Sequence, residues 1–313
     1  MTTISAKAIL KSQHAVTGDM LATLLLRYPR CIHDEFLTHR VFSRNASSLR
    51  AVPVAKLIQD VVNDPFMPIY WGKNRKGMQA DEELTGRELE DAKKFWDQAK
   101  NDALIYASEL AGVGAHKQIA NRVLEPFSHI TVVVSATEWT NFFALRIHPT
   151  AEPHMRKLAE VMEEALVAAP AQMLKPGDWH LPFVSAEDKV LIASAHPQGG
   201  PEKHNALIDA CTQDAIKLSV ARCASTSYKT VEGFDMTMER AVALHDKLVS
   251  SVPLHASPCE HVAQADTPVT VWPQEIAGKA GIPPTWIGWD NQKQHGNFVG
   301  FRQYRKMLPG ECL

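Results

Sequence analysis

The segment THRVFSRNASSLR, residues 38–50, places Arg40, Arg44 and Arg50 among hydroxyl and amide side chains. Hydroxyl groups, backbone N–H groups and an arginine fork are the donors that a phosphate group requires. Because Ser and Asn side chains compete for backbone groups, we expect a helix that ends near residue 44 and runs into a hydroxyl-rich turn. The segment predicts a site for a small anion, with a solvated polar turn as the alternative.

A second candidate is the arginine of the segment SATEWTNFFALRIHP. The helical spacing i, i+3, i+4 and i+7 is occupied by Trp139, Phe142, Phe143 and Arg146. A helix would therefore place Arg146 on its aromatic side, which faces the core. Burying a guanidinium costs several kcal/mol unless it has a partner. The partner is either an acid such as Glu138 or the carbonyl or anion of a ligand.

The segment HASPCEH, residues 255–261, collects two histidines, a serine, a cysteine and a glutamate. Three interpretations are possible. The segment binds a metal ion, or Cys259 and His261 form a catalytic nucleophile pair, or Cys259 is a small buried side chain with a packing role only. The spacing fits no common zinc site, and Pro258 interrupts any regular face. We expect no metal, and the buried cysteine is the favoured interpretation.

Composition excludes several classes of function. The chain has 313 residues, is 45% hydrophobic and carries a net charge of −2, so it can bury a sizeable core but has no basic field for nucleic acid. An odd number of cysteines, five, without CxxC spacing indicates a reducing cytoplasm. No apolar run approaches the ~20 residues of a membrane helix, and no secretory signal is visible.

Periodicity predicts one α+β domain over residues 1–313, rich in helix. We expect a buried strand at 129–137 and a turn-rich loop at 68–80. A capping box of Thr85 and Glu88 opens a long helix that ends at Gly112 and Gly114. Further helices are expected at DMLATLLLRY before Pro29, at AVPVAKLIQDVV, and at 138–147, 151–169, 204–222 and 235–250. The tail 265–313 reads as irregular, with TPVTVWP as a possible strand.

These segments together resemble the flavin-dependent thymidylate synthases. That family has an Arg-His-Arg motif followed by spaced Ser, Asn, Ser and Arg, matched here by His39, Arg40, Ser43, Asn45, Ser48 and Arg50. EWTNFFALR resembles the family's Asn-Phe-x-x-Leu-Arg helix, with Asn141 and Arg146 in register. HASPCEH resembles its His-x-Thr-Pro-Phe-Glu-His, and ARCASTSYK, residues 221–229, resembles its Ala-Arg-x-Ser-Tyr/Phe through Ser227 and Tyr228.

The order of the motifs departs from the family pattern. The Ser-Tyr and His-x-Thr-Pro segments precede Arg-His-Arg in the family but follow it here, as in a circular permutation. This order resembles long virus-encoded, bacteriophage-like relatives. The resemblance covers residues 35–50, 120–150 and 221–262, and it leaves 65–118 as an insertion-like segment.

Single positions depart as well. Thr38 stands where the family has Arg, and Glu35 stands where it commonly has Gln. Ser135 and Thr137 replace an Asn and an Arg that touch flavin, and Cys259 replaces Phe.

The resemblance implies a central, mainly antiparallel sheet and a homotetramer with active sites built from several subunits. It implies FAD and methylene-tetrahydrofolate, with NADPH as reductant if the product is methyl. Catalytic roles fall to Arg146, Ser48 and His255. Substrate contacts fall to Glu35, Thr38, Ala46, Ser47, Ser48, Leu49, Arg50, Arg122 and Arg146. Flavin contacts fall to Thr38, His39, Arg40, Asn45, Ser135, Thr137, Asn141, Ser227 and Ser257.

The leading functional hypothesis is transfer of a one-carbon unit to C5 of deoxyuridine monophosphate (dUMP). Its phosphate would meet Ser47, Ser48 and Arg50, while Arg146 would stabilise the N3-ionised uracil. A second hypothesis keeps the substrate but hydrates the transferred methylene, which gives a hydroxymethyl nucleotide for modified DNA. A third is a nucleotide-binding protein without catalysis, against which the retention of Ser48, Arg146 and His255 argues.

Overall fold

The structure is a computed structural model that describes residues 3–77, 79–196, 204–226, 236–252, 254–271 and 286–311. Its strands are β1 Ser5–His14, β2 Met20–Pro29, β3 Ser43–Ala46, β4 His129–Ala136, β5 Gln172–Leu174, β6 Trp179–His180, β7 Ala263–Ala265, β8 Pro268–Val271, β9 Trp286–Trp289 and β10 Phe301–Gln303. Its α-helices are α1 His33–Leu37, α2 Val54–Asn63, α3 Gly86–Gly112, α4 Lys117–Ala120, α5 Thr140–Arg146, α6 Pro153–Ala168, α7 Ala186–Ala195, α8 His204–Ser225, α9 Met238–Ser250 and α10 Tyr304–Met307.

The largest sheet runs in the order β3-β4-β2-β1-β5. Its neighbours are antiparallel except for β1 and β5. One side of the sheet packs against α6, and the shared core contains Leu24, Leu26, Tyr28, Val132, Val134, Met155, Leu158 and Met162. The prediction of an α+β, helix-rich fold with a mainly antiparallel sheet is confirmed. The single-domain organisation of residues 1–313 stays a prediction.

The predicted helix DMLATLLLRY is wrong, because this segment is strand β2. A continuous apolar run is compatible with either a helix or a strand buried on both sides. Here β1 and β4 pair with the two edges of β2, and Leu21, Leu24 and Leu26 are fully buried. The turn from β1 uses Gly18, whose φ of +82° lies in the left-handed region that favours glycine. Tertiary pairing therefore decided the conformation.

Most other predicted elements are present. The helices α2, α3, α5, α6, α8 and α9 and the strands β4 and β8 lie where periodicity placed them. The capping box at Thr85 is wrong: the helix begins at Gly86, but no side chain caps it. A capping box does exist at Ser185 and Asp188, which open α7. No helix of the described residues is long and apolar enough to cross a membrane.

The expected helix ending near residue 44 is also wrong. Helix α1 ends at Leu37, and Ser43–Ala46 form β3, which pairs with β4. Pairing with a fully buried strand satisfies the backbone groups of β3, and this outweighs the local preference for a turn.

The tail is more ordered than predicted, since β9, β10 and α10 follow β8. Gln303 of β10 donates to Ser43 Oγ at 3.1 Å, so the tail supports β3.

A chain of buried polar side chains joins the large sheet to the smaller sheet of β6, β7 and β10. We call it the buried polar chain, and its members are Ser12, His180, Thr23, Ser135 and His261. Successive side chains lie 2.6–2.9 Å apart, and none is exposed. Burial lowers the pKa of both histidines to about 3, so the folded protein holds them neutral.

These histidines predict a loss of stability in acid. The unfolded chain binds their protons at its ordinary pKa of about 6.5, whereas the folded chain does not. The free energy of unfolding should therefore fall as the pH drops from about 6.5 towards about 3, where the folded histidines begin to titrate. His180→Gln should make this slope shallower in urea unfolding curves, while His204→Gln, at an exposed position, should not. An unchanged slope in His180→Gln would contradict the assignment.

Candidate active site

The turn that follows β3 lines an open cleft of about 270 Å³, which we call the arginine cleft. Its lining includes Arg30, His33, Ala46, Ser47, Ser48, Leu49, Arg50, Gln118, Arg122, Glu125 and Ile130. Six of the predicted substrate residues are thus brought together, namely Ala46, Ser47, Ser48, Leu49, Arg50 and Arg122.

Backbone and side-chain hydrogen bonds hold this turn in place. The Ser47 N–H donates to the carbonyl of Thr131 at 2.8 Å, and the Thr131 N–H donates to Ser47 Oγ at 3.1 Å. The contact between β3 and β4 therefore extends into the first residue of the turn. Buried Asn121 donates from Nδ2 to the carbonyls of Leu49 and Val52 at 2.8 and 2.9 Å. Sequence reasoning missed Asn121, because its role depends on two carbonyls about 70 residues earlier in the chain.

The arginine cleft has an excess of positive charge. Arg122 pairs with Glu125 at 2.9 Å, and Arg50 is exposed on the other side of the turn. Arg30, which the sequence did not single out, has a buried Nε without a hydrogen-bond partner. Burial lowers its pKa. A buried, unsatisfied guanidinium donor fits a site whose ligand is an anion.

The second site is built around the last residue of α5. Arg146 Nη1 makes a short ion pair with the carboxylate of Glu35, and Arg146 Nε donates to His39 Nε2 at 2.8 Å. Burial, followed by the charge of Arg146, lowers the pKa of His39 to about 4, so His39 is neutral and accepts. The acid suggested by the sequence was Glu138; the partner is Glu35 on α1, which local spacing could not have identified.

Aromatic packing fixes this arrangement. The rings of Phe36, Phe42 and Phe142 pack together, with centroids 5.1–6.0 Å apart. The His39 ring meets the edge of Phe142 at 4.8 Å. Phe142 precedes Arg146 by one turn of α5, so seating the ring in the core directs the guanidinium towards α1.

Glu35 and Arg146 lie on the wall of a larger cleft of about 1010 Å³, which we call the α6 cleft. Tyr70, Gly72 and Asp81 form one wall, so the insertion-like segment covers this site. The start of α6 also lines the cleft, with Glu152, Pro153, His154, Arg156, Lys157 and Glu160. The α6 cleft shares no lining residue with the arginine cleft.

Three of the predicted flavin residues point into the protein. Asn45 donates from Nδ2 to the carbonyl of Cys223 at 2.7 Å, and Thr137 Oγ1 accepts from the Val299 N–H at 3.1 Å. Ser135 belongs to the buried polar chain and is fully buried. Their hydroxyl and amide groups bind protein groups in this structure.

Four other predicted flavin residues, Thr38, Arg40, Asn141 and Ser257, lie at the surface. Arg40, Asn141 and Ser257 are exposed, and Thr38 donates its hydroxyl to the carbonyl of Glu35 at 2.7 Å. Exposed guanidinium and amide donors fit a flavin, whose ring carbonyls and phosphates are acceptors. His255 is also exposed. Ser227 and Tyr228 lie outside the described residues.

The HASPCEH segment contains a 3₁₀ helix, Ser257–His261, rather than an exposed cluster. Cys259 is fully buried, and burial followed by the charge of Glu260 raises the pKa of its thiol to about 12. His261 Nδ1 is engaged with Ser135. These contacts support the interpretation as a small buried cysteine. In the described residues, no group of three or more His, Cys, Asp or Glu side chains could hold a metal ion.

The fold is of the mixed α/β class and carries two clefts, one at the turn after β3 and one at the end of α5. The profile of the family described as thymidylate synthase complementing protein matches residues 5–170, just over half of the chain. The chain belongs to this family, the flavin-dependent thymidylate synthases, and is a nucleotide-modifying enzyme of the methyltransferase type. The match includes residues 38–50 and 135–149 but ends before 221–229, so the permuted motif order stays a prediction.

Two solved structures resemble the chain at low identity. Both are of a UMP/dUMP methylase, PolB from Streptomyces cacaoi, one bound with 5-Br UMP and the other with 5-Br dUMP. Each is 16% identical over 53% of this chain, with TM-scores of 0.44 and 0.43 and with 89% and 90% of the PolB chain covered. No curated protein matches the sequence.

The environment of Cys259 predicts an unreactive thiol. Because the thiolate is the form that reacts and burial disfavours it, iodoacetamide at about pH 8 should leave Cys259 unmodified in the folded protein. In urea, Cys259 should be alkylated, as read by peptide mass spectrometry. The partly exposed Cys211 serves as the internal control. Stoichiometric alkylation of Cys259 in the folded protein would reinstate the nucleophile hypothesis.

Proposed function

We propose that the protein transfers a one-carbon unit from methylene-tetrahydrofolate to C5 of dUMP and forms thymidylate. One observation carries this proposal: six residues that the family resemblance assigns to the substrate, including the phosphate residues Ser47, Ser48 and Arg50, converge on one positively charged cleft. Arg30 adds an unsatisfied buried donor to the same cleft.

The arginine cleft suits the phosphate of a nucleotide. Ser47 and Ser48 line the cleft and supply hydroxyls. Their oxygens accept from the N–H groups of Thr131 and Arg50, which leaves each hydroxyl hydrogen to donate to a ligand. Arg50 and Arg122 supply charge that does not depend on pH near neutrality. The Glu125 carboxylate holds Arg122 while the nucleotide is absent, and a phosphate would compete for the same guanidinium.

The pyrimidine end of the substrate requires Arg146. In one chain, Arg146 lines the α6 cleft and the phosphate residues line the arginine cleft. Helix α1 contributes His33 to one cleft and Glu35 to the other. We infer that one nucleotide uses the arginine cleft of one subunit and Arg146 of another, which requires an oligomer such as the homotetramer expected from the resemblance.

The cofactor would be FAD, held by His39, Arg40, Asn141 and Ser257. When bound, a reduced flavin supplies the hydride that turns the transferred methylene into methyl, with NADPH as the source of electrons. The protein's own part is to bind the nucleotide, to orient C5 and to control the N3 proton.

Cys223 and Cys259 are free and buried, which supports a reducing, cytoplasmic location.

The hydroxymethyl product is a second candidate. Hydration would require room for water beside C5, which small hydroxyl side chains at 38, 135 and 137 would leave in place of larger donors. Thr38 donates its hydroxyl to the carbonyl of Glu35. Ser135 is fully buried, and Thr137 binds the Val299 N–H, so neither offers such room in this structure. The methyl product is therefore the one we favour. The non-catalytic hypothesis does not agree with membership of an enzyme family.

A single-turnover assay tests this function. Reduced holoenzyme, methylene-tetrahydrofolate and dUMP should yield thymidylate, together with oxidised flavin, as read by mass spectrometry and by the flavin absorbance. A product heavier by one oxygen, with the flavin still reduced, would establish the hydroxymethyl reaction instead. Protein that can neither be isolated with FAD nor reconstituted with it would contradict the flavin assignment.

The arginine cleft predicts a phosphate-specific loss of binding. Arg50→Ala should weaken dUMP binding roughly 10- to 100-fold, the scale of one hydrogen bond to a charged group. Binding of deoxyuridine, which lacks the phosphate, should not change. Equilibrium dialysis measures both ligands, and Arg87→Ala on the exposed side of α3 is the matched control. An equal loss for dUMP and deoxyuridine would place Arg50 away from the phosphate.

A further inference from the structure

The carboxylate paired with Arg146 alters the charge of the pyrimidine site. Arg146 contributes one positive charge, Glu35 contributes one negative charge, and His39 is neutral. The three side chains together are therefore neutral. A neutral group gives an N3-ionised uracil far less stabilisation than a lone arginine would.

The cluster remains open to a ligand. The Glu35 side chain is 33% exposed and that of Arg146 is 19% exposed, and both line the α6 cleft. Two nitrogens of Arg146 are occupied, Nη1 by Glu35 and Nε by His39. Nη2 makes no hydrogen bond within the described residues. The pair therefore presents a carboxylate acceptor beside a guanidinium donor.

A uracil ring has the complementary edge, with the N3–H donor flanked by carbonyl acceptors. We propose that Glu35 is the base that takes the N3 proton, while Arg146 Nη2 binds an adjacent carbonyl oxygen. This inference rests on the proposed function and adds a catalytic residue to it. It also gives a role to a position where the family pattern has Gln, a side chain that cannot act as a base.

The proton transfer balances without a further reactant. The N3–H bond breaks, an O–H bond forms on Glu35, and the electron pair that stays on N3 raises the electron density of the ring at C5. C5 then bonds to the methylene carbon of methylene-tetrahydrofolate with the electron pair of its C5=C6 double bond. The bond from that carbon to one folate nitrogen breaks at the same time, and its electron pair goes to the nitrogen. The C5 proton leaves to solvent, the double bond returns, and Glu35 gives its proton back to N3. The site stays close to neutral at each stage.

Other charged groups around Glu35 have partners of their own. On the walls of the α6 cleft, Asp81 pairs with Arg75, Glu152 pairs with His154, and Glu160 lies 3.5–3.6 Å from Lys157 and Arg156. Asp34 on α1 is exposed, and burial lowers the pKa of His33 to about 4, so His33 is neutral. Of the carboxylates that line this cleft, Glu35 is the one whose ion pair is with Arg146.

The pH dependence of turnover tests the base. Wild-type holoenzyme should convert dUMP at a rate that is nearly flat from about pH 6 to about pH 9, because the carboxylate paired with Arg146 takes the N3 proton and hydroxide is not needed. Glu35→Gln retains the shape but cannot accept the proton, so its rate should rise about tenfold per pH unit until the bound ring ionises in water. Glu163→Gln, which removes an exposed carboxylate of α6 outside both clefts, should follow the wild type. A flat profile in Glu35→Gln would overturn the proposal.

The ionisation of a bound nucleotide provides a second readout. 5-Fluoro-dUMP reports ionisation of its ring through its ¹⁹F shift. Beside Glu35, its N3 should titrate at the same pH as in the free nucleotide or higher, since a neighbouring negative charge disfavours a second one. In Glu35→Gln it should titrate at lower pH. A bound N3 that titrates below the free nucleotide in the wild type would overturn the proposal without any variant.

Two further outcomes distinguish failure of the Glu35 base assignment from failure of the proposed function. If wild-type protein binds deoxycytidine monophosphate more tightly than dUMP, Glu35 accepts a hydrogen bond from the amino group of cytosine. The base assignment then fails, but the assignment as a pyrimidine-nucleotide enzyme does not. If neither nucleotide binds in equilibrium dialysis, the proposed function itself fails.

Discussion

The backbone pairing of β4 is the constraint on which the rest of the structure depends. Every residue of this strand is buried, so its N–H and C=O groups must be satisfied by neighbouring strands. Strand β2 pairs along one edge and β3 along the other. The register of Ala46 against Val132 sets where the Ser47–Arg50 turn begins. The chain that leaves β4 enters α5, so the same strand also positions Arg146.

A partly buried charge shapes the second site. The aromatic side of α5 lies in the core, and an arginine one turn after Phe142 can remain there only with an acceptor nearby. Glu35 and His39 satisfy it from the short α1 helix and the turn after it. The charge of the site is therefore a property of the tertiary contact and not of the arginine alone. This neutrality is the reason for proposing a proton transfer rather than simple anion stabilisation.

The C-terminal part of the chain supports β3 and the turn that follows it. Asn45 of β3 donates to the carbonyl of Cys223 in α8, and Gln303 of β10 donates to Ser43. The buried polar chain links the large sheet to the smaller one through neutral histidines. Residues outside the family match thus hold β3, which places the turn of the arginine cleft.

The sequence by itself determined the helices with clear 3.6-residue periodicity, the buried strand β4, and the donor-rich segment that became the arginine cleft. These features depend on neighbours close in sequence, which local patterns record. Tertiary structure alone decided that DMLATLLLRY is a strand, since an apolar run suits a buried helix as well as a strand paired on both edges. It also decided that Glu35 neutralises Arg146, because an ion pair between residues 111 positions apart depends on how α1 and α5 pack together.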